Sequence, residues 1–337
     1  MSDPLAPLDA SEREAAVRAE QPRWIEPMLA TLTDDRFSDP DWIFERKLDG
    51  VRLIVFRSKD GLRLVTRNRK ERSATYPILA SRLAQLKGPD RWVADGEVVA
   101  FDGDVTSFSR LQHRLGVEDE SEARRRARSV AVRLYLFDLL HLDGWDLTSV
   151  PLRGRKKILR HALAFDDPVR YTPHRNEVGI EVWKDACARG WEGIIAKDAR
   201  APYVHGRSRS WLKFKCVRRQ ELVVGGFTEP HGSRVGFGAL LLGYHDEEGL
   251  VYAGKVGTGW DEASLRTLRE QMNRLERKTS PFDAGDPPAE GVRWITPKLV
   301  VEIGFTEWTD DGRLRHPRYL GLRTDKEARD VVRERPS

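Results

Sequence analysis

Cysteine and histidine are both scarce in this sequence. Its 337 residues include two cysteines, Cys187 and Cys216, and eight histidines. Two cysteines are too few for a disulfide framework, and their positions do not follow the spacing of metal ligands. With so few histidines as well, we expect neither a disulfide-stabilised secreted fold nor a zinc site.

Long apolar segments are also absent. No apolar run approaches the roughly 20 residues that a helix needs to span a bilayer. The N-terminal segment MSDPLAPLDASEREAAVRAEQ lacks the basic-then-apolar pattern of a secretory signal. Charged residues make up 33% of the chain, and the 39% of hydrophobic residues is enough for an ordinary core. We therefore expect a soluble, cytoplasmic protein.

Cationic residues outnumber acidic ones, giving a formal net charge of +5. Much of the excess lies in residues 206–219, which read GRSRSWLKFKCVRR and contain six cations and no acidic residue. Such a segment attracts phosphate groups. The charge distribution therefore favours an anionic partner such as a nucleic acid.

Apolar residues that alternate with polar ones, Asp-Gly turns and one apolar run predict several strands from about Trp24 onward. The strand-like segments are WIFERKLDGVRLIVFRS, GLRLVTRN, RWVADGEVVAFDG and VRLYLFDLLHLDG. Lys59-Asp60-Gly61 has the composition of a hairpin turn between the first two. The Asp-Gly pairs of the third segment predict a strand pair with turns at these positions, and a further Asp-Gly ends the fourth.

Four segments instead show the 3.6-residue periodicity of helices. They are TYPILASRLAQLK, EDESEARRRARSV, PLRGRKKILRHALA and NEVGIEVWKDACARG. The third is predicted to begin at Pro151 and the fourth to end at Gly190. Because strands and helices do not alternate regularly, we predict an α+β domain with a mainly antiparallel sheet rather than a doubly wound one.

The composition changes after the basic segment. From Leu222 the chain is rich in glycine and short apolar strands, with one helical segment, SLRTLREQMNRLERK, before a last strand region at ITPKLVVEIGFTEWT. Short strands with one helix suit a five-stranded OB-type barrel, a common binder of nucleic-acid strands. The predicted organisation is a polar tail over residues 1–22, helical or disordered, a first domain over 23–218 and a barrel over 219–332.

Lys47 is the first candidate for chemistry. It lies in FERKLDGVR, and if this segment is a strand ending in a turn, Lys47 and Asp49 share one face. A lysine nucleophile must be neutral when it attacks, so nearby cations or burial must lower its pKa. The candidate cations are Arg52, Arg67, Lys213 and Lys215. The alternative is a surface lysine beside a hairpin turn.

Other side chains along the chain also have both a functional and a purely structural interpretation. Glu97 and Glu192 each begin a short apolar strand and suit a Mg²⁺–nucleotide site, or are solvated strand residues. Phe137 is a core aromatic or a ring that stacks on a purine. In WLKFK, Lys213 and Lys215 share one strand face, where they could neutralise a triphosphate or lie on a solvated edge. Their order along the chain is more informative than any one of them.

That order resembles the covalent nucleotidyltransferase superfamily of DNA ligases, RNA ligases and mRNA capping enzymes, over about residues 26–332. ERKLDGVR, TRN, DGEVVAFD, YLFDLLHLDG, EGIIAK and WLKFK are similar to its successive motifs. The resemblance implies a nucleotidyltransferase domain, related in shape to the ATP-grasp class and built on antiparallel sheets, followed by an OB-fold domain. It also implies that Lys47 is the adenylylated lysine.

The same motifs imply roles for further residues toward ATP or AMP. By resemblance Glu45 lies beside the adenine, Phe137 stacks on it, and Arg52 contacts the ribose or the phosphate. The motif TRN adds Arg67, while Glu97 binds ribose or metal and Glu192 is a metal carboxylate. The remaining cations are Lys197 near the nucleotide and Lys213 and Lys215 at the α-phosphate.

The C-terminal half resembles a more specific group within this superfamily. CVRRQELVVGGFTEPHGSRVGFGALLLGYHD, YAGKVGTGW and EWTDDGRLRHPRYLGLRTDK are similar to the OB domain of bacterial ligase D, which acts in non-homologous end joining. By this resemblance Arg323 and Lys326 orient the pyrophosphate. It implies an ATP-dependent DNA ligase that uses Mg²⁺ or Mn²⁺ on nicked or broken duplex DNA.

The expected setting follows from the same resemblance. We expect a monomeric, nucleoid-associated ligase module, with a Ku-type end-binding protein and a separate polymerase and phosphoesterase as further partners. The chain is too short to contain the primase-polymerase and phosphoesterase domains that ligase D often carries. Two alternatives remain open, an RNA ligase or capping enzyme of the same superfamily, and a non-catalytic nucleic-acid binder.

Overall fold

The structure, a computed structural model, describes residues 3–117, 119–230 and 235–335. The chain divides between Cys216 and Val217 into two compact units. Within the described residues, no helix is long and apolar enough to cross a membrane. The first unit contains the strands that carry most of the predicted site residues, and the second contains Arg323 and Lys326.

The first unit contains six helices and thirteen strands among its described residues. The helices are α1 Ala10–Glu14, α2 Pro77–Gln85, α3 Phe108–Gln112, α4 Glu120–Ser129, α5 Leu152–Ala162 and α6 Gly179–Ala188. The strands are β1 Val17–Arg18, β2 Met28–Leu32, β3 Trp42–Arg46, β4 Val51–Ser58, β5 Gly61–Thr66, β6 Trp92–Asp102, β7 Val105–Thr106, β8 Val132–Leu142, β9 Trp145–Asp146, β10 Val169–Tyr171, β11 His174–Asn176, β12 Gly193–Asp198 and β13 Gly206–Lys215.

These strands form two sheets. In the first, the order is β1-β9-β8-β6-β4-β5, with β10 beside β8 and β7 beside β6; in the second it is β11-β3-β12-β13-β2. Among the described strands of this unit, only the β10–β8 and β13–β2 pairs are parallel. The predicted mixture of helices with mainly antiparallel sheets is therefore confirmed.

Both faces of the first sheet are buried at its strand β4. On β4, Leu53 and Val55 belong to a large apolar cluster with residues of α2, α3 and α5. Ile54 and Phe56, which alternate with them, pack instead with Met28 of β2 and Trp211 of β13 in the second sheet. The two sheets therefore meet through the second cluster, and the predicted Phe137 belongs to it.

The second unit is a small barrel-like sheet with one α-helix. Its elements are β14 Arg219–Thr228, β15 Leu240–Asp246, β16 Gly249–Val256, α7 Glu262–Asn273, β17 Glu276–Arg277, β18 Val292–Gly304, β19 Glu307–Trp308, β20 Leu314–Arg315, β21 Arg318–Leu322 and a 3₁₀ turn at Ala328–Asp330. The sheet order is β16-β15-β14-β18-β17, with β21 beside β18, and β19 pairs with β20.

This unit is the predicted OB-fold, with one difference in strand count. Its main sheet has six described strands rather than five, because the short β17 adds to one edge. Helix α7 begins at the cap Asp261 and buries Leu265, Leu268 and Met272 against the core. The apolar face of this predicted helix is therefore the surface that holds it to the sheet.

Most predicted elements of the first unit are present. The Lys59–Gly61 turn joins β4 to β5, and α2, α4, α5 and α6 lie in the four segments with helical periodicity. Pro151 caps α5, and Gly190 follows α6 with a φ of 70°, a left-handed conformation suited to glycine. The short helix α3 was not predicted, because five residues give too little periodicity to detect.

The predicted turn at Asp95-Gly96 is wrong. β6 runs without a break from Trp92 to Asp102, and its register with β8 shifts at Asp95-Gly96, as in a β-bulge. Asp95 is fully buried and accepts hydrogen bonds from Arg52 and Tyr203. Tertiary hydrogen bonding therefore overrides the local turn preference of the Asp-Gly pair.

The described part of the N-terminal tail and the two cysteines, which had no predicted role in the site, are both ordered parts of the fold. Of the two alternatives for the N-terminal tail, the structure contains the helix, α1, and Leu5 and Leu8 before it are buried in the first core. Cys187 and Cys216, 29 residues apart, form one disulfide. No framework of several disulfides is present in the described chain, but the pairing itself had no signal in the sequence.

A buried ion pair beneath α5 gives a test of this packing. Arg155 and Asp138 are both fully buried and make two hydrogen bonds, of 2.7 and 2.9 Å. Arg155→Met leaves the Asp138 carboxylate buried without its counter-ion, so we expect the free energy of unfolding to decrease by about 3–5 kcal/mol. Denaturant unfolding measures this decrease.

The matched control is Arg124→Met on α4, whose partner Glu120 lies one turn earlier on an exposed helix face. Its effect should stay within about 0.5 kcal/mol, because exposed ion pairs are weak. If Arg155→Met lowers the free energy of unfolding as little as the control does, the buried Arg155–Asp138 pair does not stabilise the fold as predicted.

Candidate active site

Lys47 directly follows β3 and contacts a buried carboxylate. Its backbone N–H donates to the carbonyl of Gly193 (2.9 Å), which extends the pairing of β3 with β12 by one residue. This pairing brings the Lys47 Nζ to 2.5 Å from Oε2 of Glu192. The Lys47 side chain is 19% exposed and that of Glu192 is 5% exposed. The candidate nucleophile and a candidate metal carboxylate are therefore in direct contact.

The turn after Lys47 requires glycine. A Cβ atom at Gly50 would lie 2.1 Å from the carbonyl oxygen of Val98 on β6, so no other residue fits without moving the backbone. The preceding Asp49 is buried, and its backbone N–H donates to the Thr106 hydroxyl (3.2 Å). The Asp-Gly pair thus lets β4 begin close against β6.

Residues opposite one another on β3, β12 and β13 form three rows on one face of the second sheet. The rows are Lys47–Gly193–Lys215, Glu45–Ile195–Lys213 and Ile43–Lys197–Trp211. Directly opposed side chains point to the same side of a sheet. One face therefore carries the candidate lysines together with Glu45.

The opposite face of these strands is apolar. Phe44, Ala196, Leu212 and Phe214 lie in one buried cluster. The prediction that Lys213 and Lys215 share one strand face is confirmed, and Leu212 and Phe214 lie on the other face. The apolar face fixes the strands, while the polar face presents cations that suit a polyphosphate.

Glu45 is held by two lysines. It is 2% exposed; Lys197 Nζ lies 2.6 Å from its Oε2, and Lys156 of α5 contacts its Oε1. Burial by itself would raise the pKa of Glu45, but the two ammonium groups outweigh burial and lower it. Glu45 is therefore an ionised carboxylate inside the protein.

Lys156 was not predicted as a site residue. It belongs to no motif, although helical spacing in PLRGRKKILRHALA places Arg155 and Lys156 on the same face as Leu152 and Leu159. Two cations on the apolar face of a helix are a signal that buried partners exist. The sequence pattern does not say which residues those partners are.

Arg52 is tied to a buried carboxylate. Its guanidinium donates to both oxygens of Asp95 and to the carbonyl of Met28 (3.2 Å), and Tyr203 donates to the same Asp95 (2.6 Å). Burial would lower the pKa of Arg52, but the Asp95 carboxylate outweighs burial and raises it. Arg52 is thus a permanent, well-fixed cation beside Phe137.

The Phe137 ring lies between cations. The Lys197 Nζ is 4.2 Å and the Arg52 guanidinium carbon 4.6 Å from its centroid, and Trp211 makes an edge contact at 6.0 Å. Burial lowers the pKa of Lys197, and Glu45 opposes this shift. Because Phe137 is only 7% exposed, a purine that stacks on it must displace at least one of these neighbours.

Two other predicted residues belong to the first sheet or to a turn that follows one of its strands. Glu97 on β6 is half-buried and directly opposite Arg52 on β4 and Tyr135 on β8. Arg67 is half-buried in the turn that follows β5. The contacts of both residues with a nucleotide stay predictions.

The remaining predicted cations lie in the second unit, in a cluster with three carboxylates. Arg323 is 9% exposed, donates to both oxygens of Asp325 (2.9 and 2.8 Å) and to Glu302 (3.0 Å). Lys326 lies 3.2 Å from Glu221. Burial would lower the pKa of Arg323, but Asp325 and Glu302 outweigh it and raise that pKa well above its ordinary value.

The carboxylates of the first unit suit a magnesium ion shared with a substrate. No group of three or more His, Cys, Asp or Glu side chains that could hold a metal exists among the residues the structure describes. Mg²⁺ is commonly held by one or two carboxylates together with substrate phosphates. Glu97 and Glu192 supply hard oxygen donors of this kind, so the donor chemistry fits.

Two family models each match most of one unit. A model described as ATP dependent DNA ligase domain matches residues 27–215. A model described as ATP dependent DNA ligase C terminal region matches residues 233–326. The first match alone covers more than half of the chain.

Curated relatives give the same family. The chain is 38% identical over 326 residues to the multifunctional non-homologous end joining protein LigD of Pseudomonas aeruginosa, covering 94% of this chain and 37% of that protein. It is 38% identical over 316 residues to LigD of Mycobacterium tuberculosis, covering 91% and 40% respectively. The chain thus spans about two fifths of the length of these relatives.

A shorter relative and a solved structure are also similar to this chain. A probable DNA ligase of Rhodococcus opacus is 34% identical over 334 residues, covering 94% of this chain and 63% of that protein. The solved structure of mycobacterial DNA ligase D complexed with ATP and MES is 35% identical, with a TM-score of 0.65, and covers 92% of this chain and 98% of that one.

The position of His174 predicts a pH dependence of stability. His174 on β11 lies opposite Glu45, and burial, together with the charge of Lys156, lowers its pKa from 6.5 to about 4. Between these pH values the unfolded chain binds more protons than the folded chain. The free energy of unfolding should therefore decrease as the pH falls from 6.5 to 4.

His174→Gln removes this contribution. Over the same window, the free energy of unfolding of the variant should fall less steeply with decreasing pH than that of the wild type. Denaturant unfolding at several pH values measures both slopes. Equal slopes would show that the folded and unfolded states bind the His174 proton equally.

Proposed function

Because the chain belongs to the ATP-dependent DNA ligase family, we propose that it seals 5′-phosphate/3′-hydroxyl nicks and breaks in duplex DNA through a lysyl-AMP on Lys47. The observation that carries the proposal is the sheet face on which Lys47, Lys213 and Lys215 lie, with Glu192 against the Lys47 amine. It combines a nucleophile, a proton acceptor and cations for phosphates.

In the first step the Lys47 amine attacks the α-phosphorus of ATP. The phosphorus–nitrogen bond forms as the bond from that phosphorus to the bridging oxygen breaks, and pyrophosphate leaves. The amine must lose a proton, and the Glu192 oxygen at 2.5 Å is within reach of it. Lys213 and Lys215 would offset charge on the transferring group.

In the second step the 5′-phosphate of the DNA takes the AMP, and the bond to Lys47 breaks. In the third step the 3′-hydroxyl attacks this activated phosphate, releases AMP and joins the strands. Mg²⁺ or Mn²⁺, held by Glu97 and Glu192 with phosphate oxygens, would supply further positive charge when bound. Arg323 and Lys326 would orient the departing pyrophosphate.

The basic segment over residues 206–219 supports a DNA substrate, since its cations would pair with backbone phosphates. The identity to LigD supports a role in non-homologous end joining. In that role a Ku-type end-binding protein would bring the ligase to ends, and a polymerase and a phosphoesterase would prepare them.

The covalent intermediate gives the most direct test. With α-labelled ATP and Mg²⁺, the wild type should retain label after denaturation, and Lys47→Ala should retain none, because the attacking amine is gone. Lys59→Ala is the matched control, since Lys59 precedes an Asp-Gly pair in the exposed β4–β5 turn. Label on Lys47→Ala, or its loss in Lys59→Ala, would contradict the assignment.

A second measurement addresses the substrates. A duplex with a single 5′-phosphate/3′-hydroxyl nick should be sealed with ATP but not with NAD as the adenylyl donor, and nicked RNA should be sealed poorly. Gel separation of ligated from unligated strands measures each case. Faster sealing of nicked RNA than of nicked DNA would favour the RNA ligase alternative.

A further inference from the structure

Lys156 of α5 is a buried lysine with three oxygen partners. Its Nζ contacts Oε1 of Glu45 and lies 3.1 Å from the Thr172 carbonyl and 3.4 Å from the Phe137 carbonyl. The side chain is 2% exposed. An ammonium group has three N–H donors, so these oxygens account for all of them.

The carboxylate that Lys156 holds lies among the candidate nucleotide groups. Glu45 is two residues before Lys47 on the same sheet face, which separates their Cα atoms by roughly 7 Å along the strand. Its other oxygen accepts from Lys197, whose ammonium lies against the Phe137 ring. Glu45 is therefore placed beside the ring on which the purine is proposed to stack.

Two lysines do not saturate this carboxylate. Each carboxylate oxygen has two lone pairs, so Glu45 can accept further hydrogen bonds, and while ionised it can donate none. A purine with a 6-amino group, as in ATP, offers a donor at its edge. A purine with a 6-oxo group, as in ITP or GTP, offers an acceptor there, and two acceptors facing each other in a buried site are unfavourable.

We propose that Lys156 is a positioning residue that keeps the Glu45 carboxylate ionised and directed at the purine edge, and thereby sets the preference for a 6-amino over a 6-oxo nucleoside triphosphate. This inference rests on the proposed function. Without Lys156, Glu45 keeps Lys197 but loses one of its two counter-ions in a buried position. Its pKa then rises, and a protonated carboxyl group can donate to a 6-oxo purine.

The experiment compares ATP with ITP, in which a 6-oxo group replaces the 6-amino group and the neighbouring ring nitrogen N1 carries a proton. Single-turnover formation of the lysyl-nucleotide is measured with each α-labelled triphosphate, and kcat/KM for ATP is divided by that for ITP. The wild type should prefer ATP, and Lys156→Met should reduce this ratio at least about tenfold, mainly through a higher KM for ATP. Lys156→Arg, which keeps the charge, should recover part of the ratio.

Lys157→Met is the matched control. Lys157 is the next residue on the same helix, but its ammonium pairs with Glu12 (3.2 Å) rather than Glu45. This variant should keep the ratio of the wild type. A general disturbance of α5 would lower the rates with ATP and ITP equally and leave the ratio unchanged.

Glu45→Gln and the double variant with Lys156→Met test whether Lys156 acts through Glu45. If it does, Lys156→Met changes the ratio in the wild-type background but not in the Glu45→Gln background. The double variant also removes the unpaired buried carboxylate, so it provides a readout if Lys156→Met alone does not fold.

The outcomes separate the two proposals. A wild type that takes no covalent label from either nucleotide overturns the proposed function, and this inference with it. If the wild type takes the label, two results overturn this inference alone. In one, Lys156→Met leaves the ATP-to-ITP ratio unchanged; in the other, it changes this ratio equally in the wild-type and Glu45→Gln backgrounds. If Lys156→Met does not fold, the double variant is compared with Glu45→Gln instead. A difference between their ATP-to-ITP ratios then overturns this inference alone.

Discussion

The hydrogen bond from the Lys47 backbone N–H to the Gly193 carbonyl fixes the register on which the candidate active site depends. Glu192 precedes Gly193, and Lys215 lies opposite Gly193 on the next strand. A slip of one residue would turn every side chain of a strand to the other face. A slip of β3 would turn Glu45 and Lys47 into the apolar cluster, and a slip of β13 would turn Lys213 into it, so burial of that cluster enforces the register.

Glycine at position 193 makes this register possible. Its φ is 145°, within the region that favours glycine, and a Cβ atom there would lie 2.2 Å from the Phe214 carbonyl oxygen. The close approach of β12 to β13 therefore depends on the missing side chain. It brings Lys215 and Glu192 to the same end of the sheet as Lys47.

The site also buries several charges beside counter-ions. The partly exposed Arg52 pairs with the fully buried Asp95, and Glu45 pairs with Lys156 and Lys197, all three nearly fully buried. Removing charges from water is costly, so such groups persist only where partners are held in place. Apart from the neighbour of Phe137 that a stacking purine would displace, groups ordered in this way need little rearrangement when a charged substrate binds, which is how preorganised sites stabilise transferring phosphoryl groups.

The local sequence pattern predicted secondary structure correctly where burial of apolar side chains dominated. Alternation identified β3, β4 and β5, and an apolar run identified β8, because side chains on one or both faces of each strand are buried. It failed at Asp95-Gly96, where a turn-forming pair lies inside a strand because Arg52 and Tyr203 satisfy the aspartate. The disulfide between Cys187 and Cys216 had no local signal either, since helix and strand packing alone brings the two together.

The sequence by itself determined the order of the motifs, the identity of Lys47 as the candidate nucleophile and the class of each domain. These depend on residue type and on spacing within single elements, which are local properties. Only the tertiary structure decided that Glu192 contacts Lys47 and that Lys156 holds Glu45 from 111 residues away. Such partners are chosen by the packing of α5, β3 and β12 against one another, and no short-range pattern records that choice.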